Sequence, residues 1–173
     1  MLESILFRDQ TDADTDAVRT LVTAAYHGLP HASGTEPFIM DALWRSGAAA
    51  VALVAQDASG LVGQAAFSAV HIFGPDGAGT GWFVLGPLSV RPDRQHQGIG
   101  SALIRHGLAR LRTRGAAGCL VVGDPGYYGR TGFRVVGGLH VPGIPDRYVQ
   151  ALPFAGLPPT GIIELHEAFS AAE

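Results

Sequence analysis

The sequence predicts a single α/β (α+β) domain over residues 1–173, in which helices cover both faces of a mixed, mostly antiparallel sheet. The chain has 173 residues, of which 47% are hydrophobic and 16% charged. That is enough for one buried core and too apolar for a disordered chain. Strand-like and helix-like runs follow one another in the order β-α-α-β-β-β-α-β-α-β-β, which is typical of helices packed on a sheet. No stretch has the length and composition of a domain linker.

The first half of the chain is predicted to form three strands and two helices. Gly28 and Pro30 end the first amphipathic helix, and Pro37 lies in the first turn of the second. The turn residues Asp57-Ala-Ser-Gly60 join two apolar runs, which is typical of a β-hairpin. The glycine-rich segment 74–81 is predicted to be another hairpin turn. The predicted elements are strands at 4–8, 49–56 and 61–73, a helix over 17–26 and a helix from 35 that Ser46-Gly47 closes.

A fourth strand and a third helix are predicted in the middle of the chain. Residues 82–90 are nearly continuous apolar sequence, which is typical of a strand covered on both faces. Arg91-Pro92-Asp93 stops this strand. The apolar positions from Ile99 onward lie on one helical stripe, and Gly115 is placed to end the helix at its C′ position.

Gly98 and Gly100 open this third helix. The start of a helix exposes unpaired backbone N–H groups at the positive end of the helix dipole. Without Cβ atoms, these two positions let an anion approach the backbone, so the segment suits a phosphate or pyrophosphate. The two best-known phosphate motifs are absent from the sequence. There is no Gly-x-x-x-x-Gly-Lys-Ser/Thr loop, and the dinucleotide fingerprint would need a glycine in place of Leu103.

The last third of the chain is predicted to begin with a buried strand at 118–122. Asp124 as N-cap and Pro125 as the first helical residue then start a short helix that ends near Gly132. Glycine- and proline-rich loops separate the late strands, which are predicted at 133–136, 147–152 and 161–166.

Composition and isolated side chains exclude several classes of function. The net charge of −3 leaves no footprint for nucleic acid, and no apolar run is long enough to span a membrane. The N-terminal residues lack the basic start and apolar run of a signal peptide, so a cytoplasmic location is expected. Gly28 and Pro30 break the helix that would align His27 with His31, so no metal site is expected. The single cysteine, Cys119, lies in an apolar run and is expected to be buried and structural.

Three motifs follow one another in the second half of the chain. The first, Leu88-Ser89-Val90-Arg91-Pro92, is a strand exit, and the second, Gln95-His96-Gln97-Gly98-Ile99-Gly100, has the form Gln/Arg-x-x-Gly-x-Gly/Ala. The third, Tyr128-Gly-Arg-Thr-Gly-Phe133, has the form Tyr-x-x-x-Gly-Phe. This combination resembles the fourth strand, acetyl-CoA loop and downstream element of the GNAT superfamily of N-acetyltransferases. The segments 123–125 and 160–169 resemble a bacterial branch of mostly uncharacterised acetyltransferases, so the resemblance covers nearly the whole chain and is strongest over 80–135.

The resemblance implies a sheet whose fourth and fifth strands splay apart, with the thioester arm of acetyl-CoA in the gap. It assigns the backbone of the fourth strand, at Leu88, Ser89 and Val90, to the pantetheine arm and acetyl group. It assigns Tyr128 as the acid that protonates the leaving thiolate, whereas Tyr127 is expected to pack or to contact the substrate. The pyrophosphate is assigned to the loop residues Gln95, His96, Gln97, Gly98, Ile99, Gly100 and Ser101.

The sequence departs from the family pattern in two places. Residues 81–90 contain no glutamate that could deprotonate the attacking amine. Glu36, His71 and ordered water therefore stay open as the base. His96 stands where the family often has a glycine or another small residue.

Three functions remain for the structure to distinguish. The leading hypothesis is an acetyl-CoA-dependent N-acetyltransferase in which an amine of a small molecule, peptide or protein attacks the thioester directly. The alternative is a non-catalytic acyl-CoA-binding module, because the strand carboxylate is missing. The third is an unrelated phosphate-binding α/β domain, against which the Tyr-x-x-x-Gly-Phe match argues. Assembly into a homodimer is left open.

Overall fold

The computed structural model describes residues 2–172, which form two β-sheets with helices packed against them. The strands are β1 (Leu6–Asp9), β2 (Ala49–Asp57), β3 (Gly60–Ala69), β4 (His71–Gly74), β5 (Gly77–Gly79), β6 (Trp82–Val90), β7 (Gly118–Val122), β8 (Arg134–Val135), β9 (Leu139–His140), β10 (Val149–Pro153) and β11 (Gly161–Glu164). The α-helices are α1 (Thr15–Tyr26), α2 (Glu36–Arg45), α3 (Ile99–Thr113) and α4 (Pro125–Tyr128). The larger sheet has the order β1-β2-β3-β6-β7-β10-β8, and the smaller sheet has the order β5-β4-β11-β9.

The two faces of the larger sheet carry different helices, as predicted. On β2, Leu53 belongs to the core under α3, whereas Val54 belongs to the core under α1 and α2. On β3, Phe67 likewise belongs to the core under α3, and Ala66 belongs to the core under α1 and α2. This alternation follows from the two-residue period of a strand. The α/β fold with a mostly antiparallel central sheet is confirmed, since β6 and β7 form the only parallel pair of the larger sheet within residues 2–172.

The smaller sheet was not predicted from the sequence. The apolar run 61–73 is not one strand, because it is interrupted at Val70 and divides into β3 and β4, which belong to different sheets. The late run 161–166 pairs with β4 rather than with the larger sheet. The strands of the smaller sheet have four residues or fewer. Their pairing joins segments that are distant in sequence, so no local pattern reveals it.

The larger sheet opens into a fork between β6 and β7. These parallel strands are paired only from Trp82 opposite Gly118 to Leu85 opposite Val121. The rest of β6 stays paired with β3, with a bulge near Ala65, and leaves its other edge without a strand partner. The predicted splay between the fourth and fifth strands of the sheet therefore corresponds to the gap between β6 and β7.

The expectations for Cys119 and Gly115 are met. Cys119 is fully buried, and burial raises the pKa of its thiol, as expected for a structural cysteine. Gly115 follows the last turn of α3 with φ of 76°. None of the helices within residues 2–172 is long and apolar enough to cross a membrane.

An ion pair at the start of α1 leads to the first testable prediction. Arg8 donates to both carboxylate oxygens of Asp14, at 2.7 and 2.8 Å, and the Thr11 N–H donates to the same carboxylate at 2.8 Å. These contacts, chiefly the hydrogen bond from Arg8, lower the pKa of Asp14 to about 2. The ionised carboxylate therefore stabilises the fold above the unfolded-state pKa of about 4, and that stability is lost as the pH falls from about 4 towards 2.

We expect Asp14→Asn to lower the free energy of unfolding at neutral pH by about 1–2 kcal/mol, measured by urea denaturation. The matched control is Asp16→Asn, because Asp16 pairs with Arg19 but its side chain is 95% exposed. Exposed pairs contribute at most about 1 kcal/mol, so the control should change little. Equal losses in the two variants would contradict this account of the Asp14 contacts.

Candidate active site

A cavity of about 740 Å³ lies at the fork. Its walls are the end of α1, the unpaired half of β6, the loop and first turn of α3, and α4. Ten residues predicted from the sequence as donor-site or catalytic residues line it. They are Leu88, Ser89, Val90, Gln95, His96, Gly98, Ile99, Gly100, Ser101 and Tyr128.

The loop before α3 is held in place by an ion pair of Arg94, which also contacts Gln97. Arg94 forms an ion pair with Asp57 at the end of β2, and its Nε donates to the Gln97 side chain at 3.1 Å. Hydrogen bonds from Ser59 and from Arg94 lower the pKa of Asp57 to about 2, so the carboxylate stays ionised at neutral pH. Gln97 is the one predicted site residue that does not line the cavity.

The open edge of β6 offers backbone donors to the cavity. The Arg91 N–H donates to Val62 on β3 at 2.9 Å. Because residues of a strand alternate in direction, Val90 and Leu88 present their backbone groups to the opposite edge, which faces the gap. The β6–β7 pairing ends before these residues, so their N–H groups have no strand partner.

The carbonyl groups on the same edge are already occupied. The Tyr26 hydroxyl donates to the Leu88 carbonyl at 3.0 Å, and the Gln95 side chain donates to the Val90 carbonyl at 3.1 Å. Tyr26 was not identified from the sequence, because no motif connects the last turn of α1 with β6. Burial, opposed by this hydrogen bond, raises the pKa of Tyr26 to about 12. The edge of β6 therefore presents donors rather than acceptors to a ligand in the gap.

The first turn of α3 supplies a second set of donors. The first intrahelical bond runs from the Ala102 N–H to the Gly98 carbonyl, so the N–H groups of residues 99–101 have no helical acceptor. The turn contains no acidic side chain that would compete for them. Gly98 adopts φ of 85°, which favours glycine. His96 has φ of 62°, which explains structurally why a glycine would also suit its position.

The space that a Cβ atom of Gly100 would occupy is filled by a neighbouring side chain and is not open to an anion. A Cβ atom there would overlap the Tyr127 hydroxyl. Tyr127 lines the cavity together with Tyr128, and their rings meet edge to face with centroids 4.9 Å apart. Gly100 is thus required for the packing of α4 on α3, and its role in binding the pyrophosphate stays a prediction.

The Tyr128 hydroxyl is available for chemistry. Its helix is capped as predicted, since the Asp124 carboxylate accepts a hydrogen bond from the Gly126 N–H at 2.9 Å. The Tyr128 ring packs edge to face on Phe133, with centroids 6.1 Å apart. Burial raises the pKa of Tyr128, and its hydroxyl has no hydrogen-bond partner within residues 2–172. The phenol is therefore protonated at neutral pH and free to donate.

Neither side chain considered as the base lines the cavity. Glu36 accepts hydrogen bonds from the Ser33 N–H and hydroxyl at 2.8 and 3.2 Å. His71 is exposed on β4 in the smaller sheet. The cavity has one carboxylate, that of Asp124, which caps α4. No group of three or more metal-ligating side chains occurs within residues 2–172.

A forked sheet with open backbone donors beside a helix N-terminus suits an elongated, anionic ligand. The model of the acetyltransferase (GNAT) domain family matches residues 48–135. The chain belongs to this family and is an N-acetyltransferase. The predicted family and enzyme class are therefore confirmed.

Similar proteins cover the chain almost completely. The uncharacterized N-acetyltransferase YhbS of Escherichia coli is 29% identical over 173 residues, which cover 96% of this chain and 99% of that protein. Its crystal structure in complex with CoA has a TM-score of 0.84, with 28% identity, 96% of this chain and 92% of that chain covered. A GNAT family acetyltransferase from Brucella melitensis, crystallised with acetyl-CoA, has a TM-score of 0.84 and 39% identity, covering 95% of this chain and 97% of that chain.

Proposed function

We propose that residues 1–173 form one domain that transfers the acetyl group of acetyl-CoA to an amine, with the donor lying in the fork between β6 and β7. Acetyl-CoA is the co-substrate of the family, and two similar proteins were crystallised with acetyl-CoA or CoA. The observation that carries the proposed placement is the set of unpaired N–H groups on Leu88, Val90 and the first turn of α3. They face one cavity, so one elongated ligand can engage both sets.

The two ends of acetyl-CoA differ in charge, and the two sets of N–H groups differ in their electrostatic surroundings. The pyrophosphate carries the charge and is placed on the N–H groups of residues 98–101, where the helix dipole adds to the hydrogen bonds. The pantetheine arm carries amide groups and is placed along Leu88 and Val90, where an extended chain can pair with a strand edge. Ser89 and Ile99 also line the cavity.

The chemistry needs few groups beyond this placement. A neutral amine attacks the thioester carbonyl, the C–S bond breaks, and the sulfur leaves as a thiolate. In this proposal the Tyr128 hydroxyl donates a hydrogen bond to the sulfur and supplies its proton, and Tyr128 then regains a proton from water. The amine loses a proton to water in the cavity, because neither Glu36 nor His71 lines the cavity. The acceptor is proposed to be an amine of a small molecule or a peptide, and assembly into a homodimer stays a prediction.

A non-catalytic acyl-CoA-binding module is the second candidate. It is favoured by one observation, the lack of a free carboxylate in the cavity. Release of free thiol from acetyl-CoA over a panel of small-molecule and peptide amines distinguishes the two. We expect amine-dependent thiol release, and binding of acetyl-CoA without release by any amine in the panel would favour the second candidate.

A further inference from the structure

Two glutamine side chains are completely buried, one at each side of the fork. Gln64 on β3 lies opposite Ser89 of β6, and Gln150 on β10 lies opposite Val121 of β7. Both have an exposed fraction of 0%. Burying a carboxamide is unfavourable unless it is hydrogen-bonded, so the partners of these two groups indicate what they do.

Each glutamine donates to a backbone carbonyl just beyond the last residue pair of β6 and β7. Gln64 Nε2 donates to the Pro87 carbonyl at 3.1 Å and to the Ser89 hydroxyl oxygen at 2.9 Å. Gln150 Nε2 donates to the Gly123 carbonyl at 3.0 Å. The two arms of the fork are therefore each held by a side chain from the neighbouring strand, where β6 and β7 no longer hold each other.

Stability alone does not favour glutamine at these positions. The Oε1 atoms of Gln64 and Gln150 are buried and have no hydrogen-bond partner in the described part of the chain. A buried acceptor without a partner costs free energy, whereas an apolar side chain of similar size avoids that cost. The Nε2 atoms, which donate the hydrogen bonds, are thus the feature that an apolar residue could not replace.

We propose that Gln64 and Gln150 are positioning residues that fix the two arms of the fork for the acyl donor, an inference that rests on the proposed function. Gln64 fixes the residues on either side of Leu88, which keeps the Leu88 N–H directed into the gap. Gln150 fixes Gly123, against which the Tyr128 ring packs so closely that a Cβ atom on Gly123 would lie 2.5 Å from it. Gln64 therefore acts on donor binding, and Gln150 acts on the orientation of Tyr128.

The test compares Gln64→Met and Gln150→Met with the control Ser68→Ala, which alters another fully buried polar side chain of β3. Calorimetry gives the Kd for CoA and for ADP, which carries the diphosphate but lacks the pantetheine arm, and steady-state rates give kcat and KM. We expect Gln64→Met to weaken CoA binding by about tenfold and to leave ADP binding unchanged. Gln150→Met should lower kcat by about tenfold with KM for acetyl-CoA unchanged. Ser68→Ala should behave as the parent.

Two outcomes overturn the inference while the proposed function stands. One is a Gln64→Met protein that binds CoA as the parent does, and the other is an equal loss of CoA and ADP binding, which indicates a general loss of structure. A parent that binds neither ligand overturns the proposed function itself. Should Gln64→Met not fold, Gln64→Asn supplies the same comparison, because it keeps the carboxamide but shortens its reach by one methylene.

Discussion

Gly98→Glu should reduce the affinity for acetyl-CoA by about 100-fold or more, because it replaces an anion-binding position with an anion. Gly98 is the N-cap of α3, and a Cβ there would meet only the Leu2 side chain, at 3.7 Å. The new carboxylate therefore has room to reach the free N–H groups of the first turn and to repel the pyrophosphate. Each charge-assisted hydrogen bond that is lost weakens binding by about 1.5–3 kcal/mol.

The matched control is Gly47→Glu. Gly47 also has a left-handed backbone, with φ of 72°, and a Cβ there would meet nothing within 4 Å. Both variants introduce the same strain of about 1–2 kcal/mol and the same charge, but Gly47 does not line the cavity. Calorimetric titration with acetyl-CoA should show normal binding by Gly47→Glu and little or none by Gly98→Glu. Normal binding by both would place the pyrophosphate elsewhere.

Tyr128→Phe should lower turnover by about 10- to 100-fold while leaving acetyl-CoA affinity nearly unchanged. The substitution removes one hydroxyl and keeps the ring that packs on Phe133. Loss of a positioned acid costs about 10²–10⁴-fold in general, but a thiolate is a good leaving group, and burial makes this phenol a weak acid. The effect should therefore lie at or below the low end of that range.

The pH dependence of turnover follows from the burial of Tyr128. An acid must be protonated to act, and a pKa raised above the usual value of about 10 keeps Tyr128 protonated across the accessible range. Parent and variant should therefore share one acidic limb, set by the amine, and the parent should not lose activity through titration of Tyr128 below about pH 10. Tyr127→Phe is the control, because it removes a hydroxyl from the neighbouring ring. An equal loss in both variants, or none in Tyr128→Phe when chemistry limits turnover, would remove the acid role.

Much of the proposed donor site could be predicted because it lies on one continuous segment. The strand exit, the two glycines and the start of α3 follow one another between Leu88 and Ser101, so local periodicity and turn chemistry predict these elements, and the family resemblance assigns the donor to them. Asp124 and Pro125 likewise mark the start of α4 from local capping preferences alone.

The remaining features depend on contacts between distant segments. Tyr26 and Leu88 are separated by 62 residues, and Gln150 and Gly123 by 27. A tyrosine at the end of an amphipathic helix or a glutamine in an apolar strand has no local signature for such a contact. For the same reason, Glu36 and His71 could be considered as bases from the sequence, whereas their placement outside the cavity required the fold.

The most direct test of the donor placement is amide hydrogen exchange of the protein with and without CoA, resolved at single residues by NMR. In the free protein, the N–H groups of Leu88 and Val90 lack a strand partner and should exchange quickly. Binding of CoA should protect them together with the N–H groups of residues 99–101. Protection confined to other regions, such as the second cavity of about 360 Å³ beside Trp44 and Arg110, would contradict the placement of the donor in the fork.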